Sequence, residues 1–198
     1  MTTRLVVLAS GAGSNAQAIV DACSTGRLRA DVVAVVSDRP GAGVLARAEA
    51  AGIPAILRAP GVDEPRDRYD ARLAEAVATF DPDVVVLAGW MRILMMPFLG
   101  MFPDRVVNLH PALPGELPGT RAIERAWREA MLGERTSTGV MVHLVPDEGV
   151  DDGPVLATTT VPIHPTDTLD ELTARVHAAE HRLLVEALST LCDQEVHP

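Results

Sequence analysis

Short apolar runs alternate along the chain with longer segments in which apolar residues recur at helical spacing. The runs are rich in valine and leucine and nearly continuous, which is typical of parallel strands buried on both faces. The strands predicted on this basis are Arg4–Ala9, Asp31–Ser37, Pro54–Leu57, Asp83–Ala88, Arg105–Pro111, Val140–Val145 and Val155–Pro162. The predicted helices are Ala16–Cys23, Gly43–Ala51, Arg66–Thr79, Arg121–Leu132 and Leu169–Leu191, with a short helical piece that ends near Phe102.

Strands that alternate with helices predict parallel pairing, because each helix carries the chain back to the start of the next strand. We therefore expect a single-domain, Rossmann-like α/β fold over residues 1–198, with a mostly parallel twisted sheet and helices on both faces. A chain of 198 residues is long enough for one full hydrophobic core. No internal repeat or linker divides it.

Two polar side chains interrupt the apolar stretch Arg105–Pro111. Asn108 and His110 are two residues apart, so both project from the same face of a strand. Pro111 ends the strand, since proline cannot continue a central ladder. Open α/β sheets bind ligands at the carboxyl ends of their strands, and histidine is the side chain that titrates nearest neutral pH. The pair therefore indicates acid–base chemistry; a hydrogen-bonded strand end without chemistry is the alternative.

Composition and charge narrow the possible partners. The formal charge of −10 argues against nucleic acid, which needs a basic stripe, but leaves small anionic ligands open. Cys23 and Cys192 lie far apart in predicted helices, so we expect reduced thiols. No apolar run reaches membrane length and no leader pattern follows Met1. We expect a cytoplasmic protein without a membrane partner.

The loop Ser10–Asn15 lies between a strand and a helix start. Its glycines allow backbone N–H groups to approach an anion, and the helix dipole favours negative charge there. The pattern G-x-G-x-x-A from Gly11 also fits a dinucleotide-binding fingerprint, with Asp38 as the ribose-binding acid. Ser14 and Asn15 add donors where a monophosphate would lie, which favours phosphate binding. A dinucleotide site and a structural turn remain alternatives.

The last predicted helix contains the sequence H-x-x-E-H from His177 to His181. Histidines four residues apart share a helix face, and this string occurs in one class of zinc peptidases. Such a site needs a further ligand, normally an acid well downstream, and only residues 182–198 follow. No other cluster of potential ligands has metal-binding spacing. We therefore expect no metal, and a solvated or substrate-contacting helix face instead.

A glycine-containing loop with four acids, Pro146–Pro154, follows the strand Val140–Val145. Taken alone, it predicts a hairpin-like turn with solvated acids. A functional role depends on whether one of these acids reaches His110.

Five segments of the chain together resemble the folate-dependent formyltransferase family. They are SGAGSN, AGWMRIL, NLHPALP, VHLVPDEGVDDGPVL and AAEH, and they occur in the family's order and spacing over essentially the whole chain. The resemblance implies transfer of the formyl group of 10-formyltetrahydrofolate, a co-substrate, to an amine. The amine attacks directly, without a metal or a covalent enzyme intermediate. The resemblance also implies small-molecule substrates and a protein that is a monomer or a homodimer.

The resemblance further implies roles for particular residues. The catalytic trio is Asn108, His110 and Asp151. The contacts to a ribonucleotide acceptor are Gly13, Ser14 and Asn15 at its phosphate, and His177 and Glu180 at its amine end. The contacts to the reduced folate are Arg66, Met91, Arg92, Ile93 and Leu94, with Asp147, Glu148, Gly149 and Val150 in a loop over the pterin. In this assignment a carboxylate beside His110 favours its imidazolium.

The chain departs from the family pattern at four places. These are Ala112–Glu116, Arg121 where the family has histidine, Val140–Met141, and a one-residue insertion at Pro146. None removes the trio, but they bear on the acceptor pocket. A formyltransferase for a different amine acceptor is therefore an alternative, and an NAD-type nucleotide-binding protein is the alternative outside the family.

Overall fold

The computed structural model describes residues 2–195. Met1 and residues 196–198, which belong to the expected domain, lie outside the described residues. The strands are β1 Thr3–Leu8, β2 Ala30–Ser37, β3 Ala55–Leu57, β4 Val84–Leu87, β5 Val106–His110, β6 Ser137–Leu144 and β7 Val155–Pro162. The helices are α1 Ser14–Ser24, α2 Gly43–Ala50, α3 Arg66–Ala78, α4 Met96–Leu99, α5 Ala122–Met131 and α6 Leu169–Glu195.

All these strands belong to one sheet with the order β3-β2-β1-β4-β5-β6-β7. The strands from β1 to β5 pair in parallel, whereas β6 and β7 are antiparallel. The sheet is therefore mostly parallel, as the sequence predicts. The chain runs outward from β1 to β3 and then returns to β4 on the other side of β1. This reversal opens a crevice at the carboxyl ends of β1 and β4, where ligands bind in such sheets.

The helices cover both faces of the sheet, which confirms the predicted layers. Along β1, Leu5 and Val7 join the core beneath α1, α2, α5 and α6, while Val6 and Leu8 join the core beneath α3 and α4. Both cores are apolar, which explains why the strands lack a polar face. No helix among residues 2–195 is long and apolar enough to cross a membrane.

Element boundaries differ from the prediction mainly where tertiary contacts set them. β6 begins at Ser137, three residues before the expected Val140, because residues 137–139 pair with the end of β7. α1 begins at Ser14 rather than Ala16, since Gly13 takes the N-cap position with φ +79°. α6 continues past the expected Leu191 to Glu195.

Candidate active site

The antiparallel pair β5–β6 sets the positions of the first polar residues. Val107 and Leu109 belong to one apolar core, whereas Asn108 and His110 turn towards the other face, as their spacing predicts. Asn108 lies directly opposite His143 in the register of the two strands. The Asn108 Nδ2 atom is 3.0 Å from His143 Nε2. Two antiparallel neighbours thus bring an amide and two imidazoles to the carboxyl end of β5.

Asp151 completes this cluster from the loop after β6. Its Oδ1 atom accepts a hydrogen bond from Asn108 Nδ2 at 3.0 Å, and its Oδ2 atom lies 3.2 Å from His110 Nδ1. The backbone N–H of Gly119 donates to the same Oδ2 at 2.7 Å. The structure therefore brings the expected trio together. Asp152 is exposed and lies against Gly149 on its own loop.

Both ring nitrogens of His110 face acceptors. Nδ1 faces Asp151 and Nε2 lies 3.1 Å from the Leu117 carbonyl oxygen. Only an imidazolium can donate to both, since a neutral ring carries one N–H. Burial nevertheless lowers the pKa of His110 below its ordinary value, although Asp151 and the Leu117 carbonyl act in the opposite direction. Asp151 thus favours the imidazolium, as the family resemblance implies, but burial has the larger effect on the pKa.

The other members of the cluster are held by complementary donors and acceptors. Burial raises the pKa of the Asp151 carboxyl, but the neighbouring His143 ring, the Gly119 N–H and the His110 ring together bring the pKa below its ordinary value. His143 Nδ1 lies 2.8 Å from the Leu144 carbonyl, so this nitrogen carries the hydrogen and Nε2 accepts from Asn108. His143 is a component of the site to which the sequence assigned no role, because only the strand register reveals it.

A cavity of about 470 Å³ opens in front of these residues. Most of the site residues expected from the family resemblance line it: Asn15, Met91, Arg92, Ile93, Leu94, Asn108, His110, Asp147, Gly149, Val150, Asp151, His177 and Glu180. Gly13, Ser14, Arg66 and Glu148 do not line it. Other parts of the wall are Leu87, Gly89 and Trp90 at the end of β4, residues 119–123 at the start of α5, and Val145. Of these, the sequence pointed only to Arg121, as a departure that bears on the acceptor pocket. The place of the β4 group follows from the binding of ligands at strand carboxyl ends, whereas the rest of the segment 119–123 carries no comparable signal.

Arg66 and Glu148 do not line the cavity, but both bond to the backbone of the segment that forms or adjoins its wall. Arg66 Nη2 donates to the Ile93 carbonyl, and Glu148 Oε1 accepts from the Met96 N–H at 3.0 Å. A residue that the sequence missed, Asp70, accepts from the Met95 N–H at 2.6 Å. The expected folate contacts at 91–94 are thus fixed between α3 and the acidic loop.

The expected phosphate loop presents backbone N–H groups at the start of α1. No acidic residue lies in the first turn of α1, and within residues 2–195 no acceptor is recorded for the N–H groups of Ser14 and Asn15. Free N–H groups at a helix N-terminus favour an anion. Asn15 Nδ2 also donates to Glu180 Oε2 at 3.2 Å, which joins the loop to α6. The sequence missed Arg47, whose Nε donates to the Ala12 carbonyl at 2.8 Å.

The H-x-x-E-H residues on α6 have different surroundings. Glu180 is buried, and burial raises its pKa. His177 is half-exposed, with Nε2 3.9 Å from Glu180 Oε2. His181 Nε2 is buried without a hydrogen-bond partner in the described part of the chain. Among residues 2–195 no group of three or more His, Cys, Asp or Glu side chains could hold a metal ion.

The chain is similar to known proteins over almost its whole length. Residues 3–188 match the family model described as formyl transferase, and the chain belongs to that family. The phosphoribosylglycinamide formyltransferase of Schizosaccharomyces pombe is 44% identical, with 95% of this chain and 96% of the relative covered. The enzyme of that name from Escherichia coli strain K12 is 39% identical, with 96% and 87% covered. The crystal structure of glycinamide ribonucleotide transformylase 1 from Symbiobacterium toebii superimposes with a TM-score of 0.90 at 39% identity, covering 98% of this chain and 89% of that one. The predicted family and fold are confirmed.

Proposed function

We propose that this chain transfers the formyl group of 10-formyltetrahydrofolate to the amine of glycinamide ribonucleotide, a step of purine biosynthesis. The observation that carries the proposal is the meeting of Asn108, His110 and Asp151 at the wall of a cavity that also reaches the α1 loop. The relatives that carry this activity in their names align over almost the whole chain.

The cavity offers a different chemistry to each substrate. Apolar side chains after β4, including Trp90 and Leu94, and Val145 after β6 suit the flat heterocycle of a reduced folate. The N–H groups of Ser14 and Asn15 suit the acceptor's phosphate. The trio lies in the wall shared by both, so the amine and the formyl carbon would meet beside it.

The reaction forms a bond from the amine nitrogen to the formyl carbon and breaks the bond from that carbon to the folate nitrogen. One proton moves in the same reaction, from the amine nitrogen to the departing folate nitrogen. Neutral His110 can accept this proton from the amine, and acceptors face both ring nitrogens of the resulting imidazolium. The imidazolium can then give the proton to the folate nitrogen, which returns His110 to its neutral form. Asn108 can donate to the oxyanion. Its N–H groups contact Asp151 and His143, so the oxyanion would replace His143 as acceptor.

The test is a direct activity assay with purified protein. Tetrahydrofolate should appear from 10-formyltetrahydrofolate only when glycinamide ribonucleotide is present. Activity with another sugar amine, and none with glycinamide ribonucleotide, would support the alternative acceptor. Binding of NAD without binding of folate would overturn the whole assignment.

Gly13→Ala should weaken acceptor binding roughly tenfold, which corresponds to about 1.4 kcal/mol. Gly13 has φ +79°, and a Cβ there would lie 2.6 Å from the Val44 Cβ, so the phosphate loop must shift. Folate binding should change much less. Calorimetric titration of each ligand, on protein shown to be folded, checks this.

Gly11→Ala is the matched control for Gly13→Ala, because a Cβ at Gly11 meets no atom within 4 Å. It should bind both ligands almost as the wild type does. An equal loss of both ligands in Gly13→Ala would contradict the assignment of the loop to phosphate.

Removal of metal ions should leave formyl transfer unchanged. Glu180 Oε2 accepts a hydrogen bond from Asn15, and within residues 2–195 no group of three or more His, Cys, Asp or Glu side chains could hold a metal ion. The measurement is turnover after exhaustive dialysis against a chelator. Loss of turnover that zinc restores would instead support a metal-dependent reaction.

A further inference from the structure

The segment of residues 112–121, which joins β5 to α5 and which we call the cover loop, folds back over the trio. Its Leu117 carbonyl lies 3.1 Å from His110 Nε2, and its Gly119 N–H donates to Asp151. Leu117 and Arg121 have φ values of +46° and +56°, which non-glycine residues rarely adopt. Such backbone persists only where surrounding contacts hold it. The cover loop therefore depends on an external support.

Arg125 provides this support from the second turn of α5. Its Nη2 atom donates to the carbonyls of Leu117 and Pro118. A second arginine, Arg135, donates to the carboxylate of Glu116, the residue before Leu117. Only Arg125 shares an atom with the trio's contacts, since the Leu117 oxygen also faces His110 Nε2.

We propose that Arg125 is a positioning residue for His110, an inference that rests on the formyl-transfer function proposed above. Its guanidinium fixes the Leu117 carbonyl, and this carbonyl orients the imidazole against Asp151. Arg125 does not line the cavity, so it acts through His110 rather than on either substrate. The cover loop includes Ala112–Glu116 and Arg121, the departures from the family pattern seen in the sequence.

The proposal predicts a definite change in the titration of His110. The charged and titratable groups around its ring are Asp151 from the acidic loop, His143 from β6 and Arg125 from α5. Removing Arg125 removes a positive charge and lets water reach the ring, and both changes raise the pKa of His110. Loss of the Leu117 acceptor acts the other way. We expect the net shift on removing Arg125 to be upward, because water that reaches the ring would relieve burial, the largest cause of the lowered pKa.

The experiment compares Arg125→Met with Arg125→Lys and with Arg128→Met. Methionine keeps apolar bulk but no donor, whereas lysine keeps the charge and can reach one carbonyl. Arg128 lies on the same helix, is exposed, and pairs only with Glu124 among the contacts of residues 2–195, so it is the matched control. The readouts are kcat, KM for both substrates, the pH profile of kcat, and the NMR titration of His110 in ligand-free protein.

Arg125→Met should lower kcat by about 10- to 100-fold, the effect of a small misplacement of a reacting group. The KM values should change less than kcat, and the acid limb of the profile should move to higher pH together with the His110 titration. Arg125→Lys should lie between wild type and Arg125→Met, and Arg128→Met should match wild type. If Arg125→Met does not fold, Arg125→Lys is the test. Lysine keeps the charge, so its upward shift of the His110 titration should be smaller and should come only from water that reaches the ring.

An unchanged His110 titration in the Arg125 variants would overturn the proposal, as would equal effects of Arg128→Met. The NMR readout needs no substrate. If wild-type protein fails to formylate glycinamide ribonucleotide, the proposed function fails, while the His110 titration still decides whether Arg125 positions the ring.

Discussion

Asp151→Asn is expected to lower turnover by roughly 10²–10⁴-fold, the usual loss when acid–base assistance is removed. The substitution keeps the shape but replaces one acceptor oxygen by an NH₂ group. Both oxygens of Asp151 face donors, Asn108 Nδ2 on one side and the Gly119 N–H on the other. Wherever the new NH₂ group lies, a donor therefore faces a donor. The trio loses its charge and its hydrogen-bond pattern together.

The same variant should shift the titration of His110 to lower pH. The Asp151 carboxylate is the largest influence that raises the pKa of His110 against burial, so its neutralisation leaves desolvation less opposed. The neutral imidazole is the form that accepts a proton, so activity is present above the His110 pKa and lost as pH falls through it. The pH at which the remaining activity of Asp151→Asn is lost on acidification should therefore be lower than in wild type.

Asp152→Asn is the matched control, because it makes the same chemical change one residue away. Asp152 is exposed and faces Gly149 rather than the trio, so turnover should stay close to wild type. Turnover of both variants and the NMR titration of His110 are the measurements. A large loss of turnover in Asp152→Asn, or an unchanged His110 titration in Asp151→Asn, would show that the trio is wrongly assigned.

The sheet and the first half of the site could be predicted because they depend on local patterns. Continuous apolar runs identify buried parallel strands, and the two-residue spacing of Asn108 and His110 places both on one face. The free N–H groups in the loop Ser10–Asn15 could be predicted from the order of a strand, two glycines and the start of a helix. None of these inferences needs a contact between distant parts of the chain.

The rest of the site depends on long-range contacts that carry no local signal. Charge alone did not distinguish Asp151 from its three acidic neighbours, and only the family resemblance selected it. His143 contacts Asn108 because of the β5–β6 register, which a sequence pattern does not specify. Burial under the cover loop lowers the pKa of His110. No sequence motif predicts how deeply a side chain will be buried.

Asn108→Leu should lower kcat by about 10²–10³-fold, the usual effect of removing one donor to an oxyanion. Leucine has the same number and branching of side-chain heavy atoms as asparagine but no donor, so the change removes hydrogen bonds and keeps the branched shape, with some added bulk. Asp151 Oδ1 and His143 Nε2 both lose the amide that contacts them. The KM for the folate should change less than kcat, because the lost interaction is strongest in the transition state.

A stability control separates chemistry from folding in this experiment. Asn108→Leu leaves two buried polar atoms without their donor, so it should also lower the melting temperature. Val107→Ala, on the same strand but facing the opposite core, should destabilise the protein by about 0.5–1.5 kcal/mol or more through lost packing. It should nevertheless keep nearly full turnover at a temperature where both variants are folded. If Asn108→Leu keeps more than about a tenth of the wild-type kcat under those conditions, Asn108 does not bind the oxyanion.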